Sequence, residues 1–293
     1  MPDPWRTAAL LQELGAQWPG LRIQVLASVA STNTSLLEAC RSHQGARLDP
    51  MLLVAEQQSD GRGREGRRWH SARGDSLTFS LALPLQGGHW SGLSLAVGVA
   101  LADALGSSEQ HAPRLMLKWP NDLWIVDAAG NSRDAGHMAG RKLGGVLIET
   151  LSRGTQRIAV LGVGLNVRRL AVPEARSGVA WLQEIDPRIS APQALHRIAL
   201  PLLKALRRFE LDGFAPFEAR YRALDLLFGR DILAGALRGV AQGVTSSGAL
   251  RLRCDQGPER GVHEIFSGEV SVHLDSRAPL QPHPDAATPH ASC

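Results

Sequence analysis

The 293-residue sequence contains few cysteines, few lysines and no long hydrophobic run. Its three cysteines, Cys40, Cys254 and Cys293, lie far apart and form neither a disulfide framework nor a zinc-binding pattern, so we expect free thiols. No apolar stretch reaches the roughly 18 residues of a membrane span, and the first residues lack the basic start of a signal peptide. These absences favour a globular cytoplasmic protein over a secreted or membrane-spanning one.

The chain is mildly basic, and arginine supplies most of the positive charge. Lys+Arg number 32 against 28 Asp+Glu, which gives a formal net charge of +4. This excess permits an anionic ligand without requiring nucleic acid. The three lysines are Lys118, Lys142 and Lys204. In a chain that uses arginine so widely, a lysine can mark a position that needs a compact point charge, although chance survival on the surface is the alternative for each.

The pattern of apolar residues divides the chain into four parts. Residues 1–20 form an N-terminal extension, and residues 21–228 have an α+β pattern that predicts a mixed or antiparallel sheet packed with helices. Apolar spacing predicts a helix over 92–105 and two or three helices over 191–228, broken near Pro201 and Gly213. We expect a flexible loop at 128–141. Short strands with glycine turns predict a small β-barrel over 229–276, and residues 277–293 resemble a disordered tail.

The most informative segment is the loop 58–69, with the sequence QSDGRGREGRRW. Its three glycines allow tight turns close to a ligand, and its four arginines create a strong cationic field. This combination suits a polyphosphate or an acyl phosphate. We expect the loop to be mobile when free and ordered around a bound anion. The alternative is a solvated basic loop, whereas a Walker A loop is excluded because Gly-Lys-Ser/Thr is missing.

Two further segments carry polar side chains where predicted strands end. In the turn 118–122, a proline ends the strand and exposes an amide and a carboxylate, which can bind sugar hydroxyls, a purine edge or hydrated magnesium. A capped β-turn is the alternative. Lys142 precedes Gly144 and Gly145, which permit close approach of the backbone to a ligand. The segment 162–167 repeats this pattern, and packing between strands is the alternative for all these glycines.

Five segments in this order resemble the biotin protein ligases: 31–33, 58–69, 118–122, 142–149 and 162–167. The resemblance covers about residues 20–275, and the arginine-glycine loop combined with the Lys-Trp-Pro-Asn-Asp turn is highly specific. It implies the class II synthetase-like fold of biotin and lipoate ligases, followed by an SH3-like C-terminal barrel. It also implies that ATP with Mg²⁺ activates biotin to biotinyl-5′-adenylate. A lysine of a biotin carboxyl carrier protein, by default that of acetyl-CoA carboxylase, would then accept the biotin.

The resemblance also implies roles for individual residues. Lys142 and Arg64 are the implied catalytic residues, with Lys142 between the biotin carboxylate and the α-phosphate. The implied biotin-binding residues are Ser31, Thr32, Asn33, Gln58, Gly61, Arg62, Gly63, Arg64, Lys142 and Gly145. The implied ATP-binding residues are Arg64, Trp69, Asn121, Asp122, Lys142 and Asn166. No metal ligand is assigned, because magnesium would arrive with ATP, near Asp122.

Two features depart from the family's pattern, and several alternatives stay open. Some 20 residues precede the first strand, where some members carry a DNA-binding domain, so we expect a short form without specific DNA binding. The stretch between Asp122 and Lys142 is longer than the family's usual turn. A lipoate-protein ligase is the second enzymatic reading. A basic nucleic-acid-binding module, which leaves the Lys142 strand without a role, and an interaction protein are readings of other classes. The oligomeric state is open, with a homodimer as one option.

Overall fold

The computed structural model describes residues 3–45, 47–86, 90–106, 114–126, 140–154, 156–169, 178–255, 258–268 and 270–272. Residues 128–139 of the expected loop, the expected tail at 277–293 and Cys293 lie outside this described part. Cys40 and Cys254 are free and buried. Among the described residues, no helix is both long and apolar enough to cross a membrane.

The fold contains five α-helices and fourteen strands within the described residues. The helices are α1 (Thr7–Gly15), α2 (Thr32–Ser42), α3 (Leu93–Leu105), α4 (Ala191–Asp212) and α5 (Glu218–Leu224). The first nine strands are β1 (Arg22–Leu26), β2 (Met51–Ala55), β3 (Gly61–Arg62), β4 (Arg68–Trp69), β5 (Ser76–Pro84), β6 (Arg114–Lys118), β7 (Asp122–Val126), β8 (Gly140–Arg153) and β9 (Gln156–Asn166). The last five are β10 (Asp231–Ala234), β11 (Leu237–Val244), β12 (Leu250–Cys254), β13 (Gly261–Ile265) and β14 (Val270–Val272).

A seven-stranded sheet in the order β1-β2-β5-β9-β8-β7-β6 forms the centre of the larger part. β1 and β2 are parallel, and the other neighbouring pairs are antiparallel, which confirms the predicted mixed sheet. Alternate side chains point to opposite faces. One face packs against α1, α3 and α4, and the other packs against α2, whose Leu36 and Cys40 are buried with Leu53 and Val160. The sheet therefore holds both faces of its strands in apolar contact.

The helical region differs from the prediction at Pro201. A break is predicted there, but α4 continues through this proline to Asp212, and Gly213 caps its end with a positive φ of 66°. A proline inside a helix costs about 3 kcal/mol or more because it removes a hydrogen bond and crowds the preceding turn. The apolar stripe on both sides, including Ile198, Leu202 and Leu206, is buried, and roughly 1.5–3 kcal/mol per buried side chain offsets that cost.

The N-terminal extension contains a helix that the sequence analysis did not predict. Leu10 and Leu14 of α1 are buried, and so are the flanking Trp5 and Trp18. The helix packs against α4, and His196 of α4 bonds the carbonyl of Trp5 at 2.8 Å. Residues 3–20 are therefore part of the main core rather than an appendage. The predicted end of the loop at residue 141 is wrong, because β8 already begins at Gly140.

The C-terminal strands form a separate antiparallel sheet in the order β13-β12-β11-β10-β14. This arrangement confirms a small C-terminal β domain, while its SH3-like topology and the boundary at residue 228 stay predictions. The sheet meets the larger part at Trp119, whose Nε1 donates to the Gly248 carbonyl at 3.1 Å. Gly248 has a φ of 83° and lies against Gly92, where a Cβ on Gly248 would come within 2.6 Å of the Gly92 Cα. Glycine at 248 thus permits the close contact.

Candidate functional site

A cavity of about 380 Å³ opens between the seven-stranded sheet, the β3–β4 hairpin and the start of α2. Its volume lies in the range of small-molecule sites. It is lined by twelve of the residues assigned from the sequence: Ser31, Thr32, Asn33, Gln58, Arg62, Gly63, Arg64, Trp69, Asn121, Asp122, Lys142 and Gly145. These residues come from four segments that are far apart in the sequence, and the described structure brings them together.

Two residues assigned from the sequence do not line the cavity. Gly61 begins the hairpin strand β3 and is paired with Trp69, and a Cβ at this position would come 2.5 Å from the carbonyl oxygen of Trp69. Asn166 is 5% exposed, and its Nδ2 donates to the Ala180 carbonyl at 3.0 Å. Both residues therefore support the cavity from behind its lining: Gly61 packs against the Trp69 backbone, and the Asn166 amide is bonded to Ala180.

The structure also adds cavity residues that were not assigned. They are Arg67, Arg68, Phe79, Lys118, Trp119, Pro120, Trp124, Val146, Leu147, Gly162, Val163, Gly164, Gly268 and Val270. The arginines, Lys118 and the 162–164 glycines lie inside the segments already singled out, so the motifs could have indicated them. Phe79 and Trp124 carry no such signal, because the sequence does not reveal which face of a strand lines a cavity. Gly268 and Val270 come from the C-terminal part, a non-local contribution.

The lining is strongly cationic. Arg62, Arg64, Arg67, Arg68, Lys118 and Lys142 line the cavity, and Asp122 is the one carboxylate among the described lining residues. An excess of fixed positive charge around a concave surface attracts and holds anions. Two of the three lysines of the chain are in this set, whereas Lys204 is exposed on α4. Two of the three lysines thus lie where a ligand would meet them, as the scarcity of lysine in the sequence suggested.

A β-bulge determines the face from which Lys142 projects. Leu123 pairs with Gly144 and Trp124 pairs with Lys142, so Leu143 is an extra residue in β8. Gly145 and Leu147 line the cavity, and regular alternation back from Gly145 would put Leu143 on the cavity face. The bulge reverses this order: Leu143 is fully buried in the core, and Lys142 turns to the cavity.

The Lys142 ammonium is paired across the cavity floor. Its Nζ lies 2.7 Å from Asp122 Oδ1, and the side chains are 35% and 18% exposed. A Cβ on Gly145 would lie 3.0 Å from Asp122 Oδ1 and 3.7 Å from the Lys142 Nζ. Glycine at 145 therefore leaves room for this ion pair. Gly144 has a different reason, since a Cβ there would overlap the Gly164 carbonyl of the neighbouring strand, which favours the packing alternative for that glycine.

The turn 118–122 is held rigidly beside Lys142. It joins β6 to β7 through a cis peptide bond between Trp119 and Pro120, and Ser94 of α3 donates to the Pro120 carbonyl at 2.9 Å. Asn121 exchanges two hydrogen bonds with Val146: its Nδ2 donates to the Val146 carbonyl at 2.8 Å, and its carbonyl accepts from the Val146 N–H at 2.9 Å. The remaining Asn121 Oδ1 accepts from Arg64 at 3.4 Å, which connects the turn to the arginine loop.

The loop 58–69 is folded as a short hairpin. β3 and β4 pair Gly61 with Trp69 and Arg62 with Arg68, and Glu65 between them has a φ of 57°. Trp69 rests on Gly164, where a Cβ would come 2.6 Å from the indole ring. Glycine at 164 therefore provides the flat surface on which the indole lies. Whether ligand binding orders this loop stays a prediction.

The opposite end of the cavity is a network of buried polar groups at the start of α2. Ser31 caps the helix, and Gln58 Oε1 accepts from the Thr32 N–H at 2.7 Å and from Thr32 Oγ1 at 3.0 Å. The Ser80 hydroxyl, which is fully buried, lies 2.7 Å from Thr32 Oγ1 and 2.5 Å from Asn33 Oδ1. Such a network holds its hydroxyl and amide groups in fixed orientations toward a polar ligand.

The network extends to the strand that carries Lys142. Asn33 Nδ2 donates to Glu149 Oε2 of β8 at 2.9 Å. Gly162 of β9 lies beneath the Asn33 amide, and a Cβ at this position would overlap the amide oxygen. The cavity thus has a neutral, hydrogen-bonding end at α2 and a cationic end at Lys142, Arg64 and the turn 118–122.

Comparison with known proteins agrees with this geometry. The Biotin/lipoate A/B protein ligase family matches residues 25–166. The bifunctional ligase/repressor BirA of Escherichia coli (strain K12) is 31% identical over 264 residues, which are 87% of this chain and 76% of that protein. The biotin--[acetyl-CoA-carboxylase] ligase of Mycobacterium tuberculosis is 34% identical over 277 residues, which are 90% of this chain and 93% of that one.

A solved structure has the same architecture. The biotin protein ligase from Aquifex aeolicus, in complex with biotin and ATP, superposes with a TM-score of 0.66 at 27% identity and covers 86% of this chain and 99% of its own. The resemblance found in the sequence motifs is therefore confirmed, and so are the mixed sheet packed with helices and the small C-terminal β domain expected from it, while the SH3-like topology stays a prediction. On this evidence the chain belongs to the biotin/lipoate A/B protein ligase family, among its biotin protein ligases.

Proposed function

We propose that the chain is an ATP-dependent biotin protein ligase, which makes biotinyl-5′-adenylate and transfers biotin to a lysine of a carrier protein. The observation that carries the proposal is the two-ended cavity. A neutral hydrogen-bonding end built on Thr32 and Gln58 suits the ureido ring of biotin, and the cationic end around Lys142 suits a carboxylate meeting a phosphate.

In the first step, a carboxylate oxygen of biotin attacks the α-phosphorus of ATP. A carbon–oxygen–phosphorus anhydride forms, the bond to the bridging oxygen breaks, and pyrophosphate leaves with that electron pair. Lys142 between the two anions lowers their repulsion, and Arg64 stabilises the charge that develops on the α-phosphate oxygens. Because Lys142 and Asn121 are fixed by ion pairing and hydrogen bonds, the reactants meet in one geometry.

In the second step, the amine of a carrier lysine attacks the acyl carbon of the adenylate. An amide bond forms, the acyl carbon–oxygen bond breaks, AMP leaves, and the amine loses a proton. The hairpin 61–69 lies over the cavity, and we assign it the role of shielding the anhydride from water until the carrier arrives. The biotin carboxyl carrier protein of acetyl-CoA carboxylase, or of another biotin-dependent carboxylase, is the proposed acceptor.

We assign the nucleotide to the end formed by Trp69, Asn121 and Asp122, with Asn166 acting through the Ala180 carbonyl that it binds. Asp122 is the only carboxylate among the described lining residues, and it is paired with Lys142. The described residues include no cluster of three or more metal-binding side chains. This set fits a magnesium ion held mainly by phosphate oxygens and water, where it would neutralise phosphate charge.

A lipoate ligase of the same fold is less compatible with the neutral end of the cavity. The dithiolane ring of lipoate has neither N–H donors nor a carbonyl, so it would make no hydrogen bond to the Thr32–Gln58 network at this end of the cavity, whereas the ureido ring of biotin offers both kinds of group. We place the reaction in the cytoplasm. Either a monomer or a homodimer of the chain could carry it out.

The test is direct. Purified protein is incubated with ATP, magnesium and either biotin or lipoate, and the products are analysed by mass spectrometry for the acyl adenylate and for pyrophosphate. A carrier domain of acetyl-CoA carboxylase, together with a variant whose acceptor lysine is replaced by arginine, tests the transfer. Formation of adenylate from biotin, with biotin attached to the wild-type carrier domain and not to its arginine variant, supports the proposal. Formation of adenylate from lipoate alone, or from neither acid, would refute it.

A further inference from the structure

The segment 178–184 completes the β-sheet next to Lys142. β9 pairs with β8 only as far as Gly144, whose partner is Leu165. Beyond that point the segment takes the place of β9: the Lys142 N–H donates to the Gly178 carbonyl at 2.9 Å, and the Lys142 carbonyl accepts from the Ala180 N–H at 2.9 Å. The backbone of the lysine that lies at the bulge is therefore fixed by this segment.

The segment is attached to β9 as well. Asn166 Nδ2 donates to the Ala180 carbonyl, and the Gln183 N–H donates to the Val167 carbonyl at 3.1 Å. These bonds connect the ends of the two strands that carry Lys142 and Asn166. Any displacement of the segment would consequently be felt at both residues.

Arg141, the residue before Lys142, contacts the segment through its side chain. Its guanidinium donates to Glu184 Oε1 at 2.9 Å and contacts the second carboxylate oxygen at 2.5 Å. It also lies 5.8 Å from the centre of the Trp181 ring, and Gly178 leaves space for its aliphatic stem, because a Cβ there would come 2.7 Å from Arg141 Cγ. The same Glu184 carboxylate accepts from the Trp181 N–H at 3.0 Å. Arg141 also donates to the Val179 carbonyl at 3.4 Å, so one side chain contacts four residues of the segment.

We propose that Arg141 is a positioning residue for adenylate formation: through Glu184 and Trp181 it holds the segment 178–184 against β8 and so fixes the Lys142 ammonium in the cavity. This inference rests on the proposed function for its effect on catalysis. Arginine suits the position because a bidentate pair with a carboxylate and stacking on an indole both need a planar fork.

The expected effect follows from the need for exact placement. Without the pair, the backbone bonds of Lys142 open to water more often, and the ammonium samples positions away from the two anions. A misplacement of about 1 Å can cost about 100-fold in rate. The biotin end of the cavity lies at α2 and makes no bond to the segment in the described structure, so biotin binding alone should be spared.

The experiment compares Arg141→Gln and Glu184→Gln, which break the pair from either side, with Arg197→Gln. Arg197 pairs with Asp186 just beyond the segment, and both side chains are partly exposed, which makes it a matched control. We expect Arg141→Gln and Glu184→Gln to lower kcat for adenylate formation by about 10- to 100-fold, with the biotin Kd changed by less than about twofold. The double variant should have a kcat no lower than that of the less active single variant, since both substitutions remove the same ion pair. Arg141→Lys should restore only part of the activity.

Hydrogen exchange gives a second readout that does not depend on catalysis. In Arg141→Gln and Glu184→Gln, peptides covering 140–146 and 178–184 should exchange faster than in the wild type, while Arg197→Gln should leave them unchanged. If the wild type makes no adenylate, the proposed function fails, and hydrogen exchange still decides whether Arg141 holds the segment. The inference would be overturned if Arg141→Gln and Glu184→Gln both kept the wild-type kcat and the wild-type rate of hydrogen exchange. An equal loss of activity in Arg197→Gln would overturn it as well.

Discussion

Lysine at position 142 should be irreplaceable even by arginine. The Lys142 Nζ lies 2.7 Å from Asp122 and within 4 Å of the Cβ position that Gly145 leaves empty. An arginine here would keep the positive charge but spread it over a planar fork, which is bulkier than the compact ammonium of lysine. Its guanidinium would have to leave Asp122 or enter the volume that the carboxylate and the α-phosphate need.

The magnitude can be estimated from the contacts that arginine cannot reproduce. A hydrogen bond to a charged group contributes about 1.5–3 kcal/mol. At 1.36 kcal/mol per factor of ten, losing one such bond in the transition state lowers the rate about 10- to 100-fold. Because Lys142 would touch both anions, we expect Lys142→Arg to reach the upper end of that range. The biotin Kd should change less than kcat, since the neutral end of the cavity is untouched.

The assay is single-turnover formation of biotinyl-adenylate, followed by mass spectrometry or by pyrophosphate release. Lys204→Arg is the matched control, because it makes the same chemical change on the exposed face of α4. Equal melting temperatures of the two variants would show that folding is not the cause of any difference. Adenylate formation by Lys142→Arg at the rate of Lys204→Arg would refute the assigned role of the lysine.

Three further predictions follow from other parts of the structure. Arg64→Gly should bind biotin within a few-fold of the wild type but release the adenylate, so that an unrelated lysine-rich protein in the same tube becomes biotinylated; an unlabelled bystander while adenylate is made would count against Arg64 as the retaining contact. The loop 58–69 should resist proteolysis when biotin and ATP are present, and equal cleavage with and without them would contradict ordering by the ligands. Burial raises the pKa of Asp225 to about 7 from its ordinary value of 3.8, so the folded state holds a proton that the unfolded state releases: the contribution of this group to stability is fully present below about pH 4 and is lost as the pH rises through 7. Urea unfolding of the wild type and Asp225→Asn should show this loss in the wild type only, and parallel pH profiles would contradict it.

The fold was largely predictable because its strands and helices have strong local patterns. β5 and β9 read as apolar runs between turn signals, and helix α4 has an apolar residue at nearly every third or fourth position. The exceptions are decided by tertiary packing. Helix α1 is short and gains its stability from contacts of Leu10 and Leu14 with the core, whereas α4 survives Pro201 because residues on either side are buried. Neither effect can be read from the local sequence.

The site was predictable as a set of motifs but not as a surface. A motif such as 118–122 names the residues that belong together, and the described structure confirms that most of them share one cavity, although their individual roles stay predictions. The glycines behave differently. Gly144, Gly162 and Gly164 suggested close approach to a ligand, yet each one makes room for another part of the protein: a neighbouring strand, the Asn33 amide and the Trp69 indole. A sequence does not distinguish these neighbours from a ligand.

The orientation of Lys142 is the clearest case of information that the motif does not contain. A shift of one residue in a strand moves every following side chain to the other face of the sheet. In the run Lys-Leu-Gly-Gly, regular alternation would have placed a leucine in the cavity and the lysine toward the core, which no fold tolerates without a large penalty for burying an unpaired charge. The bulge at Leu143 satisfies both residues, because the leucine gains a fully buried position and the lysine gains Asp122. β9 no longer pairs with β8 at Lys142, and the backbone of segment 178–180 makes the hydrogen bonds there instead. The placement of this cation therefore depends on three separate parts of the chain: the bulge in β8, Asp122 of β7 and the segment 178–180.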